Sequence, residues 1–315
     1  MSRRLFILLI FFITIANIAD GQYWYWIHPF KDSTNSSWAY PLSMVSDRAG
    51  NVFQTGKFAG NIRINSLKLQ TNTTNDAYLV KYDNSGLAKW AFAPVEVNSG
   101  NSYGISVASD SLGNVLIAGQ YNNNIKIGPN TYITLQPGSN FFIAKYSSAG
   151  SFLWSNSANT KAWGQVEVNS AASDIFGNWY VAGNFTDTVS FGSFTLIGIN
   201  GSRPTFFLAK IDSSGNYTWV IGATGKYPEF SNGSSVVTDA TGNIFVTGEF
   251  DDTLNLVAKT IISKPNADVF LSELDANGNV IWIADGTFPT FAGKVTRWMG
   301  TKVLDIDRSG NLYIT

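Results

Sequence analysis

The stretch "SDSLGNVLIAGQY", Ser109 to Tyr121, joins a polar turn to an alternating apolar segment, and close copies of it recur along the chain. Asp110 can accept hydrogen bonds from the backbone of the turn, and Gly113 can take a positive φ at no steric cost. The alternation from Val115 to Tyr121 is typical of a β-strand. The stretch therefore predicts a tight turn followed by a strand, and its copies predict a repeated scaffold.

The copies stand at a nearly constant period. Their first glycines are separated by 63, 64, 65 and 68 residues, which indicates one structural unit repeated along the chain. The turn residues are Asp47 and Gly50, Asp110 and Gly113, Asp174 and Gly177, Asp239 and Gly242, and Asp307 and Gly310. We expect four complete units at about 43–92, 105–157, 169–222 and 234–285, and a partial fifth unit from about 301.

Each unit carries further strand signals in the same order. Two short alternating stretches around a turn, as in "VSFGSFTL" from Val189 to Leu196, predict a small hairpin. A uniform strand such as "FFIAKYS" follows, and a second glycine turn then leads to a Trp strand. The chain after residue 21 shows no convincing helical period, so we predict an all-β fold of repeated antiparallel four-stranded units.

This ordered set of motifs resembles the SBBP-type β-propeller repeat of secreted bacterial proteins. The resemblance rests on "D-x-x-G-N-apolar", on "F-apolar-A-K-apolar-D-x-x-G" and on the Trp that trails them, and it covers nearly all of residues 43–315. It implies a β-propeller, in which small antiparallel sheets form blades around a central channel.

The N-terminus predicts an export signal. Arg3 and Arg4 precede the apolar run "LFILLIFFITIA", and the small residues Ala19 and Gly21 suit a signal peptidase. We expect residues 1–21 to be removed, leaving no transmembrane segment and a protein that is secreted or held at the cell surface. The next segment, "QYWYWIHPF" at 22–30, resembles the Trp strands, and we expect it to close the ring as an outer strand.

The fifth unit stops at Thr315, inside its second predicted strand. We expect the sequence to be a truncated piece of a longer protein whose ring holds roughly five to eight blades. Further repeats, or a sorting or anchoring module, would then follow Thr315.

Composition excludes several classes of function. Apolar residues make up 44% of the chain, enough for a substantial core, while charged residues make up 14% and the net charge is −1. A chain so nearly neutral has no electrostatic footprint for nucleic acid or an anionic membrane. The chain has no Cys and one His, His28, so disulfides, thiolate nucleophiles and multi-His metal centres are excluded, and we predict no cofactor.

Three repeated features receive structural interpretations. Each turn Asp supplies one carboxylate, far short of the roughly six to eight oxygens that Ca²⁺ takes, so turn formation is the better account. The Trp column, Trp90, Trp154, Trp219 and Trp282, is predicted to pack between neighbouring units. The column Lys81, Lys145, Lys210 and Glu273 is predicted to be a solvated strand face, because the sign of its charge changes in the fourth unit.

The segments that lead from each Trp strand to the next turn differ between units and are rich in aromatic residues. Such variable loops on a rigid scaffold are where function tends to lie. The candidate ligand-binding aromatics are Trp38, Tyr103, Trp163, Tyr227, Phe230 and Trp298, and the candidate carboxylates are Glu96, Glu167 and Glu229. Aromatic platforms beside carboxylates suit a glycan or an extended extracellular peptide, although the same aromatics could serve only to pad the unit junctions.

Three functions stay open from the sequence. The first is a secreted, non-enzymatic binding or adhesion module, favoured because no catalytic constellation recurs. The second is an extracellular hydrolase or lyase acting on polysaccharide, which would need two of the three glutamates about 5–10 Å apart. The third is a purely architectural spacer domain within a larger surface protein.

Overall fold

A computed structural model describes residues 31–32, 37–71, 73–97, 100–134, 138–160, 164–198, 203–224, 230–263, 268–286, 303–307 and 309–314. Within these residues the regular structure consists of β-strands, and no helix, let alone one long and apolar enough to span a membrane, is present. All strand pairings are antiparallel, and the predicted all-β fold is confirmed.

The strands fall into five consecutive units. Unit 1 contains Lys31–Asp32 (β1), Trp38–Ser46 (β2), Val52–Ala59 (β3), Asn61–Ile64 (β4), Leu67–Gln70 (β5), Asp76–Tyr82 (β6) and Ala88–Phe92 (β7). Unit 2 contains Val95–Glu96 (β8), Asn101–Ser109 (β9), Val115–Asn122 (β10), Ile125–Ile127 (β11), Asn130–Tyr132 (β12), Asn140–Tyr146 (β13) and Phe152–Ser157 (β14). Unit 3 contains Asn159–Thr160 (β15), Val166–Ser173 (β16), Trp179–Phe185 (β17), Thr188–Phe191 (β18), Phe194–Ile197 (β19), Thr205–Ile211 (β20) and Tyr217–Thr224 (β21). Unit 4 contains Ser231–Thr238 (β22), Ile244–Phe250 (β23), Thr253–Leu256 (β24), Lys259–Ile262 (β25), Asp268–Leu274 (β26) and Val280–Gly286 (β27), and unit 5 contains Leu304–Ile306 (β28) and Leu312–Ile314 (β29).

Units 1 to 4 share one sheet topology. In unit 2 the strand order is β14-β13-β10-β9, so the chain crosses the sheet from its first strand, β9, to its fourth, the Trp strand β14. The orders β2-β3-β6-β7, β16-β17-β20-β21 and β22-β23-β26-β27 repeat this arrangement. The small hairpin between the second and third strands does not join its own sheet. In units 2 and 3 it pairs with the short segment that follows the Trp strand of the preceding unit, as β11 pairs with β8, and in unit 4 it pairs with the end of the Trp strand β21 itself.

The recurring Asp-x-x-Gly-Asn turn connects the first two strands of each unit, as predicted. In unit 2, Asp110 Oδ1 accepts hydrogen bonds from the Leu112 and Asn114 N–H groups, both at 2.9 Å. Asp110 Oδ2 accepts from the Asn114 side-chain amide at 2.8 Å, and Gly113 has a φ of 76°. The carboxylate oxygens thus accept hydrogen bonds from groups of the same turn, and the prediction that these aspartates form turns is confirmed.

A β-bulge in the first strand explains the second glycine of each copy. In unit 3 the register between β16 and β17 shifts between Val168 and Ser170, opposite Gly183. A Cβ on Gly183 would lie 1.9 Å from the carbonyl oxygen of Glu167. Glycine is therefore required where the bulged strand approaches its neighbour most closely.

The apolar core lies between neighbouring sheets. Phe53 and Leu79 of unit 1 share one buried cluster with Ile117 and Phe142 of unit 2. Equivalent clusters join unit 2 to unit 3 and unit 3 to unit 4. The sheets of units 2 and 3 therefore bury both faces against their neighbours, as stacked repeat units do to exclude water.

Hydroxyl groups on the first strands join successive units near the turn ends. Each side-chain oxygen accepts a hydrogen bond from a backbone N–H of the next unit. The three bonds run from Val107 to Ser43 (3.3 Å), from Ala171 to Ser106 (3.0 Å) and from Val236 to Ser170 (3.1 Å).

The Asp-Gly turns of units 1 to 4 together line one cavity of about 310 Å³, called the turn-end cavity below.

The Trp column packs between units, as predicted. Three of the four indole Nε1 groups donate to a backbone carbonyl in the second glycine turn of the next unit. The three donations run from Trp90 to Ser148 (3.3 Å), from Trp154 to Ser213 (2.9 Å) and from Trp219 to Ala276 (3.1 Å). Trp282 differs, since its Nε1 donates to the Glu273 carboxylate within unit 4.

The prediction that the Lys column is a solvated face is wrong. Lys81 and Lys145 are only 9% and 5% exposed. Lys81 Nζ donates to the Ser148 carbonyl at 2.7 Å, and Lys145 Nζ lies 3.5 Å from Asp110 Oδ2. Lys210 makes the bond equivalent to that of Lys81, to Ala276 at 2.8 Å. The strand alternation could not reveal this, because the groups that contact these ammonium groups come from elsewhere in the chain. They are the second glycine turn of the next unit for Lys81 and Lys210, and Asp110 with Trp179 of unit 3 for Lys145.

Two predictions concern residues outside the described part of the chain. The signal peptide at 1–21 and the ring-closing strand at 22–30, with His28, lie there, and both stay predictions. The described β1, which directly follows residue 30, pairs with β4 through Lys31↔Arg63 and Asp32↔Ile62. The same pairing recurs twice. The strands β8 and β15 follow the Trp strands of units 1 and 2, and each pairs with the small hairpin of the next unit.

Candidate functional site

Three aromatic side chains gather around one lysine where the first strands of units 1 and 2 begin. Lys57 Nζ lies 5.9 Å from the ring centroid of Trp38, 6.0 Å from that of Tyr40 and 5.1 Å from that of Tyr103. These four residues are called the aromatic platform below. An ammonium at such distances is attracted to the negative faces of the rings, which fixes the position of the lysine among them.

The strand register explains why the platform forms. Tyr40 on β2 is directly opposite Lys57 on β3, and Trp38 is opposite Ala59 two positions away on the same face. Tyr103 comes from β9, the first strand of unit 2, which packs beside β2. Trp38 and Tyr40 are 41% and 44% exposed. The platform therefore presents aromatic surface to solvent across the junction of two units.

A cavity of about 340 Å³ adjoins the platform and shares Tyr103 with it. Its other lining residues are polar or small: Gln120, Asn122, Asn123, Gly138 and Ser139, together with Tyr121. Amide and hydroxyl groups in this setting can donate and accept hydrogen bonds to a ligand that carries hydroxyls. The exposed rings and this polar cavity together make the candidate site.

The equivalent positions in units 3 and 4 are occupied differently. Tyr103 and its cross-strand partner Gln120 correspond to Glu167 and Asn184 in unit 3 and to Asn232 and Glu249 in unit 4. Asn184 and Asn169 donate their amides to Asn232 Oδ1 at 3.0 and 2.9 Å. The amides there bond to one another, whereas units 1 and 2 expose rings, so the candidate site belongs to units 1 and 2.

Glu96 does not lie at the platform. It is on β8, opposite Ile125 of the small hairpin of unit 2. Both of its carboxyl oxygens are buried without a well-formed hydrogen bond in the described part of the chain. Burial raises the pKa of Glu96 to about 7; the nearby Ser102 hydroxyl opposes this rise, and the Asp76 carboxyl adds to it.

The raised pKa of Glu96 predicts a loss of stability as the pH rises. Between a pH of about 4.5 and about 7, the folded protein retains a proton that the unfolded chain has released, so the free energy of unfolding falls across this window. We expect the variant Glu96→Gln, which is neutral at every pH, to unfold at a higher temperature than the natural protein at pH 8. At pH 4.5 the two melting temperatures should be close. Thermal unfolding followed by circular dichroism measures this.

The exposed Asp307 provides the control for that experiment. The Asp307→Asn variant should still lose stability between pH 4.5 and 7, as the natural protein does. Hydrogen bonds from Asn311 lower the pKa of Asp307, so its titration falls at more acidic pH. A melting temperature of the natural protein that stays level from pH 5 to pH 8 would contradict the burial of Glu96.

Glu167, another predicted carboxylate, is held by a different sheet from Glu96. Glu167 is on β16 in unit 3, opposite Asn184, and neither Glu96 nor Glu167 lines the cavity beside the platform. Glu229 lies outside the described residues. The cavity beside the platform therefore does not bring Glu96 and Glu167 together as the carboxylate pair that glycoside hydrolysis would need.

The predicted aromatic residues have mixed outcomes. Trp38 and Tyr103 lie together at the platform, on strands β2 and β9 rather than in connecting loops. Phe230 directly precedes the first strand of unit 4, and its N–H donates to Asp251, which also pairs with Arg203 at 3.3 Å. Trp163, Tyr227 and Trp298 lie outside the described residues.

Sequence reasoning missed Lys57 and the cavity residue Gln120. Both occupy the position after the second glycine of a copy, where the four units carry Lys57, Gln120, Asn184 and Glu249. The residue type at this position changes from unit to unit, although the motif around it is uniform. That variation is the sequence signal that indicates Lys57 and Gln120.

Among the described residues, no group of three or more His, Asp or Glu side chains could hold a metal ion. In comparisons with known proteins, the sequence matches no family model and no curated protein. The candidate site is therefore interpreted from its own geometry.

Proposed function

We propose that the units are blades of a β-propeller of the SBBP-repeat type. The support comes from the turn-end cavity, which is lined by equivalent residues of units 1 to 4. Four successive units can share one cavity of this size when they are arranged around an axis, whereas units in a straight stack would each meet only their neighbours. The pairing of β1 with β4 supports a Trp-like outer strand at 22–30 that closes the ring.

We further propose that the protein is a secreted or cell-surface binding module, without enzymatic activity, whose ligand is a glycan. The observation that carries this proposal is the aromatic platform beside a polar cavity. An exposed ring stacks on the apolar face of a pyranose, while amides and tyrosine hydroxyls bond its hydroxyl groups. The predicted export signal agrees with an extracellular ligand.

Binding to immobilised oligosaccharides tests this proposal. We expect the protein to bind members of a glycan array, and Trp38→Ala and Tyr103→Ala each to weaken binding at least tenfold, since each removes a stacking surface. Phe176→Ala is the matched control, because Phe176 is 65% exposed but lies on the Asp-Gly turn of unit 3, at the opposite end of the strands.

Two results would count against glycan binding. One is an array signal that Trp38→Ala and Tyr103→Ala leave unchanged, which would place binding elsewhere on the protein. The other is the absence of signal from every glycan, which would favour the architectural spacer.

A further inference from the structure

Lys57 carries a positive charge that no acidic group of the described chain neutralises. Its interactions there are with the three rings of the platform, and no ion pair includes it. By contrast, Lys81 and Lys210 donate to carbonyls of the next unit. The rings attract the ammonium through their faces but accept no conventional hydrogen bond from it, so its donors are available to a ligand.

The surroundings of Lys57 favour a localised anion. An ammonium held against aromatic surface is partly withdrawn from water, and there a charge-assisted bond to an anion is stronger than at a fully exposed site. Glu167 and Glu249 stand at the equivalent strand ends of units 3 and 4. Their charges oppose an extended polyanion lying across this face, so the arrangement suits a ligand with one carboxylate near the platform and neutral groups beyond it.

We propose that the platform selects glycans that carry a carboxylate, such as uronic or sialic acid residues. This inference rests on the proposed function and names its ligand class. The carboxylate binds Lys57 Nζ, the sugar ring stacks on Trp38 or Tyr103, and the neighbouring hydroxyls reach the amides of Gln120 and Asn122. Lys57 thus determines specificity, while the rings supply stacking shared by neutral and acidic sugars.

The test compares acidic sugars with their neutral methyl esters. The probes are galacturonate, the hyaluronan disaccharide and 3′-sialyllactose, each measured by calorimetry with its single carboxyl group free and esterified. We expect the protein to bind at least one free acid, and about tenfold more tightly than its ester. Lys57→Met should remove this preference, whereas Lys57→Arg should retain most of it.

Lys126→Met is the control, because Lys126 is an exposed lysine on the small hairpin of unit 2, away from the platform. It should keep the full preference for the free acid. Melting temperatures of all variants establish that they are folded.

The two proposals fail in different ways. If free acids and esters bind equally and Trp38→Ala abolishes both, the carboxylate proposal is overturned while glycan binding stands. If none of the six probes binds, the carboxylate proposal is overturned as well, and the result of the glycan array alone decides the proposed function. An acid preference that survives Lys57→Met would also overturn the role of this lysine.

Discussion

Replacing Gly183 with Ala is expected to lower the free energy of unfolding by about 3 kcal/mol or more, the upper range for forcing atoms into a packed structure. The added methyl group would lie 1.9 Å from the carbonyl oxygen of Glu167 and 3.0 Å from the Phe207 ring. Backbone cannot swing aside as a side chain can, so the bulged first strand must separate from β17. Urea unfolding followed by tryptophan fluorescence measures the effect.

Gly222→Ala is the matched control. Gly222 is also in a strand of unit 3, but a Cβ there would meet the methyl end of Leu196 at 3.0 Å, which can rotate away. We expect a change within about 1 kcal/mol. If Gly183→Ala and Gly222→Ala unfold at the same urea concentration, the explanation of the second glycine by the bulge is wrong.

Replacing Lys145 with Met is expected to cost about 2–4 kcal/mol of stability. The side chains of Lys145 and Asp110 are 6% and 3% exposed, and their charged atoms lie 3.5 Å apart. Removing the ammonium leaves a buried carboxylate without its counter-charge, a change that is strongly destabilising in other proteins. The Lys145 ammonium also lies 5.1 Å from the ring centroid of Trp179 in unit 3, so the loss should weaken the junction of units 2 and 3.

Lys89→Met separates the effect of burial from that of charge. Lys89 pairs with Asp83 at 3.7 Å, but its side chain is 50% exposed. Exposed pairs contribute about 0–1 kcal/mol, so little change is expected. Equal and small effects of Lys89→Met and Lys145→Met would show that the Lys column is solvated after all.

The sequence was sufficient to predict the strands, the turns and the repeat. The recurring turn is held by hydrogen bonds among near neighbours in sequence, such as Asp110, Gly113 and Asn114. A turn of this kind can be predicted from the types of its residues and their spacing. The packing of Trp90, Trp154 and Trp219 between units was also predictable, because large aromatics at a repeated strand position rarely do anything but pack.

What the sequence could not show depends on contacts between units. Lys81 donates to Ser148, which stands in a turn of the next unit, and Lys145 is covered by Asp110 of its own unit and Trp179 of the next. The platform likewise joins Trp38 to Tyr103 through the packing of β2 beside β9, and β8 places Glu96 against the small hairpin of unit 2. Strand periodicity specifies which face a side chain takes, but it does not specify what the next unit places there.

A crystal structure of the protein with a bound acidic oligosaccharide tests the central claim most directly. The account predicts a pyranose ring stacked on Trp38 or Tyr103, its carboxylate within hydrogen-bonding distance of Lys57 Nζ and its hydroxyls bonded to Gln120 or Asn122. A sugar bound at the turn-end cavity, or on units 3 and 4 while the platform stays bare, would contradict it.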